Sequence, residues 1–99
     1  MLNIEKKTNG TELTVVLKGR LDTTTAPELE KELKASLDGM TALIFDMTAL
    51  DYISSAGLRV LLSAHKTMNK QGEMKVVHVS ETIMEIFEVT GFSDILTIE

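Results

Sequence analysis

The sequence contains no cysteine, no tryptophan and a single proline. Without cysteine the chain forms no disulfide, has no thiolate ligands for a metal and has no cysteine nucleophile. It also lacks any apolar run near the roughly 20 residues of a membrane-spanning helix. The first residues, Met1–Lys7, lack the apolar core of a secretory signal. We therefore expect a cytoplasmic protein with no membrane partner.

Basic charge is also scarce. The sequence has ten Lys and Arg residues and 15 Asp and Glu residues, which gives a formal net charge of −5 at pH 7. Nucleic-acid binding needs a concentrated basic patch, and here the basic residues are spread along the chain. The sequence therefore predicts no nucleic-acid partner. Its 99 residues, 43% of them hydrophobic, are enough for one folded domain over residues 1–99, expected to be a monomer when free.

Strand-like and helix-like apolar patterns alternate along the chain. Such alternation after an opening hairpin predicts an α/β domain with the order β-β-α-β-α-β-α-β. We expect a mixed, mostly parallel sheet of about four to five strands with helices covering it. The predicted strands are Leu2–Lys7, Thr11–Gly19, Ala42–Phe45, Met74–Val79 and Ile95–Ile98.

Cap signals indicate where the helices begin and end. Thr25 with Glu28 three residues later fits a capping box, and the helix that follows is expected to stop near Asp38-Gly39. Ser80 is the expected cap of a helix over Glu81–Thr90, and Gly91 its expected stop. The central helix is expected to follow Ser54-Ser55 and to end between Asn69 and Gly72.

No constellation of side chains predicts catalysis. His65 and His78 have no metal ligand at a suitable spacing and no neighbouring nucleophile, so both are interpreted as structural or surface residues. Asp22, Asp46 and Asp51 are expected at the carboxyl edge of the sheet, near the serine pair. One carboxylate near a serine is not a catalytic triad, and the chain has neither a nucleophile elbow nor a phosphate-binding glycine loop. We expect neither an enzyme nor a bound cofactor or metal.

The serine pair lies between the central strand and the central helix, and small residues follow it. From the residues alone, two interpretations of Ser54 and Ser55 stay open. Serine is a preferred N-cap, because its oxygen accepts hydrogen bonds from unpaired N–H groups of the first turn. A helix N-terminus also tolerates negative charge, so a serine here could carry a regulatory phosphate without loss of the fold.

The segment Tyr52–Leu62, Tyr-Ile-Ser-Ser-Ala-Gly-Leu-Arg-Val-Leu-Leu, resembles the signature of the STAS domain shared by bacterial anti-sigma factor antagonists. The resemblance extends over nearly the whole chain, because further segments match in order. These are Leu17–Asp22, Leu43–Met47, Gln71–Val77 and Phe87–Phe92. Several ordered motifs at the right separations are more specific than any one of them.

The resemblance implies a small cytoplasmic partner-switching protein. Unphosphorylated members bind an anti-sigma factor that is also a serine kinase, and so release the sigma factor. The kinase then phosphorylates a serine at the start of the central helix, which breaks the complex, and a PP2C-type phosphatase reverses the modification. By position the acceptor corresponds to Ser55, with Ser54 as the alternative.

Two positions depart from the family pattern: Ser54 stands where Asp is frequent, and Ala56 where Ser or Thr is frequent. Asp22 is expected to contact the kinase or to help orient the acceptor. The alternative function is an interaction or scaffold module of the same family that is not phosphorylated and serves another signalling assembly. The residues expected to bind the partner are Asp22, Thr23, Ser54, Ser55, Ala56, Gly57 and Arg59.

Overall fold

The first two strands form the predicted hairpin. In a computed structural model, which describes residues 2–99, Gly10 lies at the turn with φ +62°. That left-handed conformation favours glycine, which has no Cβ. The elements are β1 (Leu2–Asn9), β2 (Glu12–Leu21), α1 (Ala26–Ser36), β3 (Ala42–Ile53), α2 (Ser55–Gln71), β4 (Glu73–Val77) and α3 (Glu81–Thr90), with a short 3₁₀ turn at Phe92–Asp94.

The four strands lie in the sheet in the order β1-β2-β3-β4. β1 pairs antiparallel with β2, whereas the β2–β3 and β3–β4 pairs are parallel. The predicted mixed, mostly parallel sheet is therefore confirmed. The carboxyl ends of β2 and β3 lie side by side, with Leu21 paired to Ile53.

The core lies on one face of this sheet. On β3, Leu43, Phe45 and Met47 are completely buried, whereas the alternating residues Ile44 and Asp46 are only partly buried. The helices supply the opposing apolar stripes: Leu29, Leu33 and Leu37 from the α1 segment, Leu58, Leu61 and Met68 from α2, and Ile83 and Phe87 from α3. The leucine stripe predicted for the first helix is confirmed.

The last predicted strand is not formed as a strand. Gly91 has a left-handed φ of +82° and ends α3, and the 3₁₀ turn follows directly. Ile98 then reaches β4 in a single bridge to Val76. Ile95 and Leu96 do not pair with β4, because their N–H groups donate to the Phe92 carbonyl oxygen of the turn. His78, predicted within the preceding strand, lies beyond the end of β4 and has a positive φ of +58°.

The caps of α3 match the prediction, but the cap of α1 does not. The Ser80 hydroxyl accepts a hydrogen bond from the Ile83 N–H at 3.3 Å, and Gly91 ends the helix. Thr25 occupies the N-cap position of α1, yet its side chain makes no capping hydrogen bond. The predicted capping box with Glu28 is therefore wrong, because the Thr25 hydroxyl instead accepts a hydrogen bond from the Asp22 N–H and donates one to the Arg20 carbonyl oxygen.

The longest helix, α2, is amphipathic. Leu61, Ala64 and Met68 are buried along one side, whereas Lys66 and Lys70 are exposed on the other. A helix with one apolar stripe covers a core and keeps its polar side in water. Within residues 2–99, no helix combines the length and the apolar content that crossing a bilayer requires.

Candidate functional site

The ends of β2 and β3 are joined at the site. The Ser54 N–H donates a hydrogen bond to the Leu21 carbonyl oxygen at 2.9 Å, which places Ser54 beside Asp22. Asp46 is not part of this edge. The central strand continues to Ile53, so Asp46 lies inside β3, where its carboxylate accepts a hydrogen bond from the Thr48 hydroxyl at 2.6 Å. Of the three predicted acids, Asp22 and Asp51 lie near the serines.

The two serines have different roles in the local structure. Ser54 is the N-cap of α2, and its partly buried side chain accepts a hydrogen bond from the Gly57 N–H at 3.4 Å. Ser55 is the first helical residue and is exposed. Ser54 therefore accounts for the capping interpretation, and the Ser55 hydroxyl is left facing solvent.

Gly57 lets the first turn of α2 pack directly on the strand ends. A Cβ at this position would lie 2.7 Å from Leu21 Cγ and 2.9 Å from Ile53 Cγ1. Carbon atoms in van der Waals contact stay about 3.5–4.0 Å apart, so a side chain here would push the helix outward. The glycine thus determines how closely the serine pair approaches the sheet.

Asp22 organises the loop from β2 to α1. One carboxylate oxygen, Oδ1, accepts hydrogen bonds from the Thr24 hydroxyl at 2.8 Å, the Thr24 N–H at 3.0 Å and the Thr25 N–H at 3.1 Å. These bonds, with the Thr24 hydroxyl contributing most, lower the pKa of Asp22 to about 2. Asp22 thereby satisfies the Thr25 N–H, which the Glu28 side chain would have bound in the predicted capping box.

Asp22→Asn is expected to reduce stability at neutral pH and to flatten its acid dependence. A carboxylate whose folded-state pKa is lowered stabilises the fold above its unfolded pKa, near 3.8, and this stabilisation is lost as the pH falls through about 2. Thermal unfolding between pH 2 and pH 6 measures it. The difference in unfolding temperature between wild type and variant should become smaller as the pH decreases from 3.8 towards 2. A constant difference across the range would contradict the assignment.

An arginine–tyrosine pair borders the loop. The Arg20 guanidinium lies 4.4 Å from the centre of the Tyr52 ring, and its Nε is 3.7 Å from Asp22 Oδ2. Tyr52 is 37% exposed, one of few large apolar side chains at the surface of residues 2–99. The sequence pattern does not reveal this pair, because only the β2–β3 register places Arg20 opposite Tyr52.

A shallow cavity of about 220 Å³ lies between the first turns of α1 and α2. Thr23, Ala56 and Arg59 line it, together with Glu30 from α1. The structure thus brings together three residues predicted to bind a partner, and the Leu21–Ser54 bond places Asp22 and the serines at the same end of the domain. Glu30 was not predicted, and nothing in the sequence pattern singles it out from the other acids of α1.

The surroundings of the Ser55 hydroxyl contain few polar side chains. The exposed Ser55 hydroxyl makes no hydrogen bond to a histidine or carboxylate within residues 2–99. His65, the histidine of α2, is instead 3.4 Å from the Asn69 side chain one turn further on. Across the described part of the chain, no group of three or more potential ligand side chains is arranged to hold a metal ion.

Comparisons with known proteins agree on one family. The STAS domain family model matches residues 3–99. BtrV of Bordetella bronchiseptica is 39% identical over 87% of this chain and 76% of its own length. The anti-sigma-B factor antagonist of Bacillus subtilis is 30% identical over 98% of this chain and 90% of its own length. A crystal structure of an anti-sigma factor antagonist from Mycobacterium paratuberculosis superimposes with a TM-score of 0.89 at 23% identity, covering 99% and 85% of the two chains.

Proposed function

This chain belongs to the STAS domain family, and on that basis we propose that it is an anti-sigma factor antagonist controlled by phosphorylation of Ser55. In the unmodified state it binds an anti-sigma factor that is also a serine kinase. Binding displaces the sigma factor, which then becomes free to direct transcription. The protein acts by occupying a surface, so this role needs no catalysis by the chain itself.

The free hydroxyl of Ser55 is the observation that carries the proposal. It is exposed at the first residue of α2, whereas the Ser54 hydroxyl is already engaged in capping. In the proposed reaction the Ser55 oxygen attacks the γ-phosphorus of ATP held by the kinase. The hydroxyl loses its proton, the bond to ADP breaks, and ADP leaves. A PP2C-type phosphatase restores the hydroxyl by hydrolysis, releasing inorganic phosphate.

The proposed binding surface surrounds Ser55. Ser54, Ala56 and Gly57 form the first turn with it, and Thr23 and Arg59 lie at the adjoining cavity. The small side chain of Ala56 leaves room for a partner at the helix N-terminus, whereas Gly57 faces Leu21 and Ile53 and sets how closely this turn packs on the strands. Asp22 supports this surface indirectly, because its carboxylate holds the loop that carries Thr23.

Intact mass after incubation with ATP and the anti-sigma kinase of the same genome tests the proposal. Wild type and Ser54→Ala should each gain one phosphate, and Ser55→Ala should gain none. Ser54→Ala is the matched control, because it removes the neighbouring hydroxyl and leaves the acceptor. The phosphorylated protein should no longer co-elute with the kinase, and PP2C-type phosphatase should restore both the mass and the binding.

Two other outcomes would overturn the assignment in different ways. A phosphate that persists in Ser55→Ala but is absent from Ser54→Ala would make Ser54 the acceptor. Stable binding of an unmodified chain, with no phosphate on any variant, would favour the alternative of a non-phosphorylated scaffold module in another signalling assembly.

A further inference from the structure

We propose that Arg59 binds the phosphate on Ser55 within the same chain, so that phosphorylation also withdraws this arginine from the partner-binding surface. The inference rests on Ser55 as the modified residue of the proposed function. It adds a counter-ion supplied by the protein itself. Arg59 then has two states, available to a partner before modification and occupied by phosphate after it.

Helix geometry places the two side chains on one face. Ser55 and Arg59 are four residues apart in α2, and residues at this spacing have Cβ atoms about 5–6 Å apart. Both side chains are exposed. The guanidinium group is long enough to reach phosphate oxygens at Ser55 and can donate two parallel hydrogen bonds to them.

In the unmodified protein, Arg59 makes no ion pair within residues 2–99. The ion pairs there involve Arg20 and several lysines. Glu30 lines the same cavity as Arg59, yet its carboxylate is 3.4 Å from the Lys34 ammonium group. A phosphate with about −1.5 to −2 charges is a stronger partner for Arg59 than this single, already paired carboxylate.

The other charged side chains near Ser55 either already have partners or carry the same sign of charge as the phosphate. The Asp22 carboxylate is bound by the loop and by Arg20, which also stacks on Tyr52. Asp51 is exposed near the end of β3 and would repel the phosphate. Arg20 is thus held by two neighbours, and Arg59 is the basic residue of this surface that is free to move towards Ser55.

Phosphorus NMR of the protein with phosphoserine incorporated genetically at position 55 tests the inference without any kinase. A nearby cation favours the dianion and lowers the midpoint of its second titration, ordinarily near pH 6. The interaction typical of a charge pair at this helix spacing corresponds to a shift of about 0.15–0.4 pH unit, so Arg59→Gln should raise the midpoint by about that amount. Arg59→Lys should restore part of the shift.

Lys66→Gln is the matched control, because it removes the same charge from an exposed position of α2 about 16 Å from Ser55 along the helix axis. It should change the midpoint by less than about 0.1 pH unit, since the charge lies beyond the Debye length in 0.15 M salt. The Arg59 Nε–H signal should also shift on phosphorylation. Equal midpoints for Arg59→Gln and Lys66→Gln would overturn the inference, whatever the kinase assay shows. If the kinase does not phosphorylate Ser55 but Arg59→Gln still raises the midpoint, only the proposed function is overturned.

Discussion

Phosphoserine at position 55 is expected to weaken the complex with the anti-sigma factor by roughly 30-fold to several thousand-fold. A partner that packs on an uncharged hydroxyl would meet a dianion and its hydration shell. A charge left buried and poorly paired in an interface costs about 2–5 kcal/mol. Each tenfold change in affinity corresponds to about 1.4 kcal/mol, which gives the expected range. Pairing with Arg59 would offset part of the phosphate charge. It would also withdraw the Arg59 guanidinium, a hydrogen-bond donor, from the partner.

Calorimetric titration of the purified anti-sigma factor with chemically defined protein measures this effect. The test protein carries phosphoserine at position 55, and the control carries it in place of Thr67, an exposed residue of α2 about 18 Å from Ser55 along the helix axis and two turns beyond Arg59. The same charge on the same helix, outside the proposed surface, should change affinity by less than about fivefold, since an exposed charge contributes at most about 1 kcal/mol. A similar loss with both proteins would show that net charge, rather than the position of the phosphate, weakens the complex.

Gly72→Ala is expected to destabilise the fold by at least about 3 kcal/mol, the upper end of overpacking costs. Gly72 follows α2, and its N–H donates to the Met68 carbonyl at 2.6 Å. A Cβ here would overlap the carbonyl group of Thr41. That carbonyl accepts a hydrogen bond from the Glu73 N–H at 3.0 Å, so it cannot turn away without loss of the contact that begins the β3–β4 pair.

Urea unfolding measures the free energy of unfolding of Gly72→Ala and of a control, Gly39→Ala. The control shows how much is lost when a glycine is replaced without a steric overlap. Gly39 has a left-handed φ of +80°, but a Cβ at that position has open space around it. Its substitution should therefore cost only the conformational penalty of about 1–2 kcal/mol. Equal losses in the two variants would contradict the assignment of Gly72 to a backbone contact.

The elements of the fold could be predicted where the local signal and the tertiary structure agree. The helix Glu81–Thr90 with its Ser80 cap and Gly91 stop is such a case, because the residues that end it act on their own neighbours. The capping box of α1 did not form, because Asp22 binds the Thr25 N–H and the Thr25 hydroxyl is held by backbone groups of Arg20 and Asp22. Which of several local polar groups makes the bond depends on the path of the loop, and a sequence pattern does not contain that path.

The site was predictable in its composition but only partly in its arrangement. The motif containing Ser54, Ser55 and Gly57 is contiguous, so the sequence showed it directly. The separation of roles between the two serines required the helix boundary, which makes Ser54 the cap and Ser55 the first helical residue. Asp46 was placed at the edge because β3 was predicted too short; the strand continues through polar residues whose burial alternates less regularly.

The sequence alone determined the order of strands and helices from β1 to α3, the apolar stripe of each helix and the serine motif at the start of α2. Those features follow from residue spacing and from contacts between near neighbours in the chain. Only the tertiary structure decided the pairing of Arg20 with Tyr52, the cavity shared by Glu30 and Arg59, and the bridge that replaces the last strand. Each depends on the register and packing of segments distant in sequence, where many arrangements fit the same local pattern and only the packed core selects one.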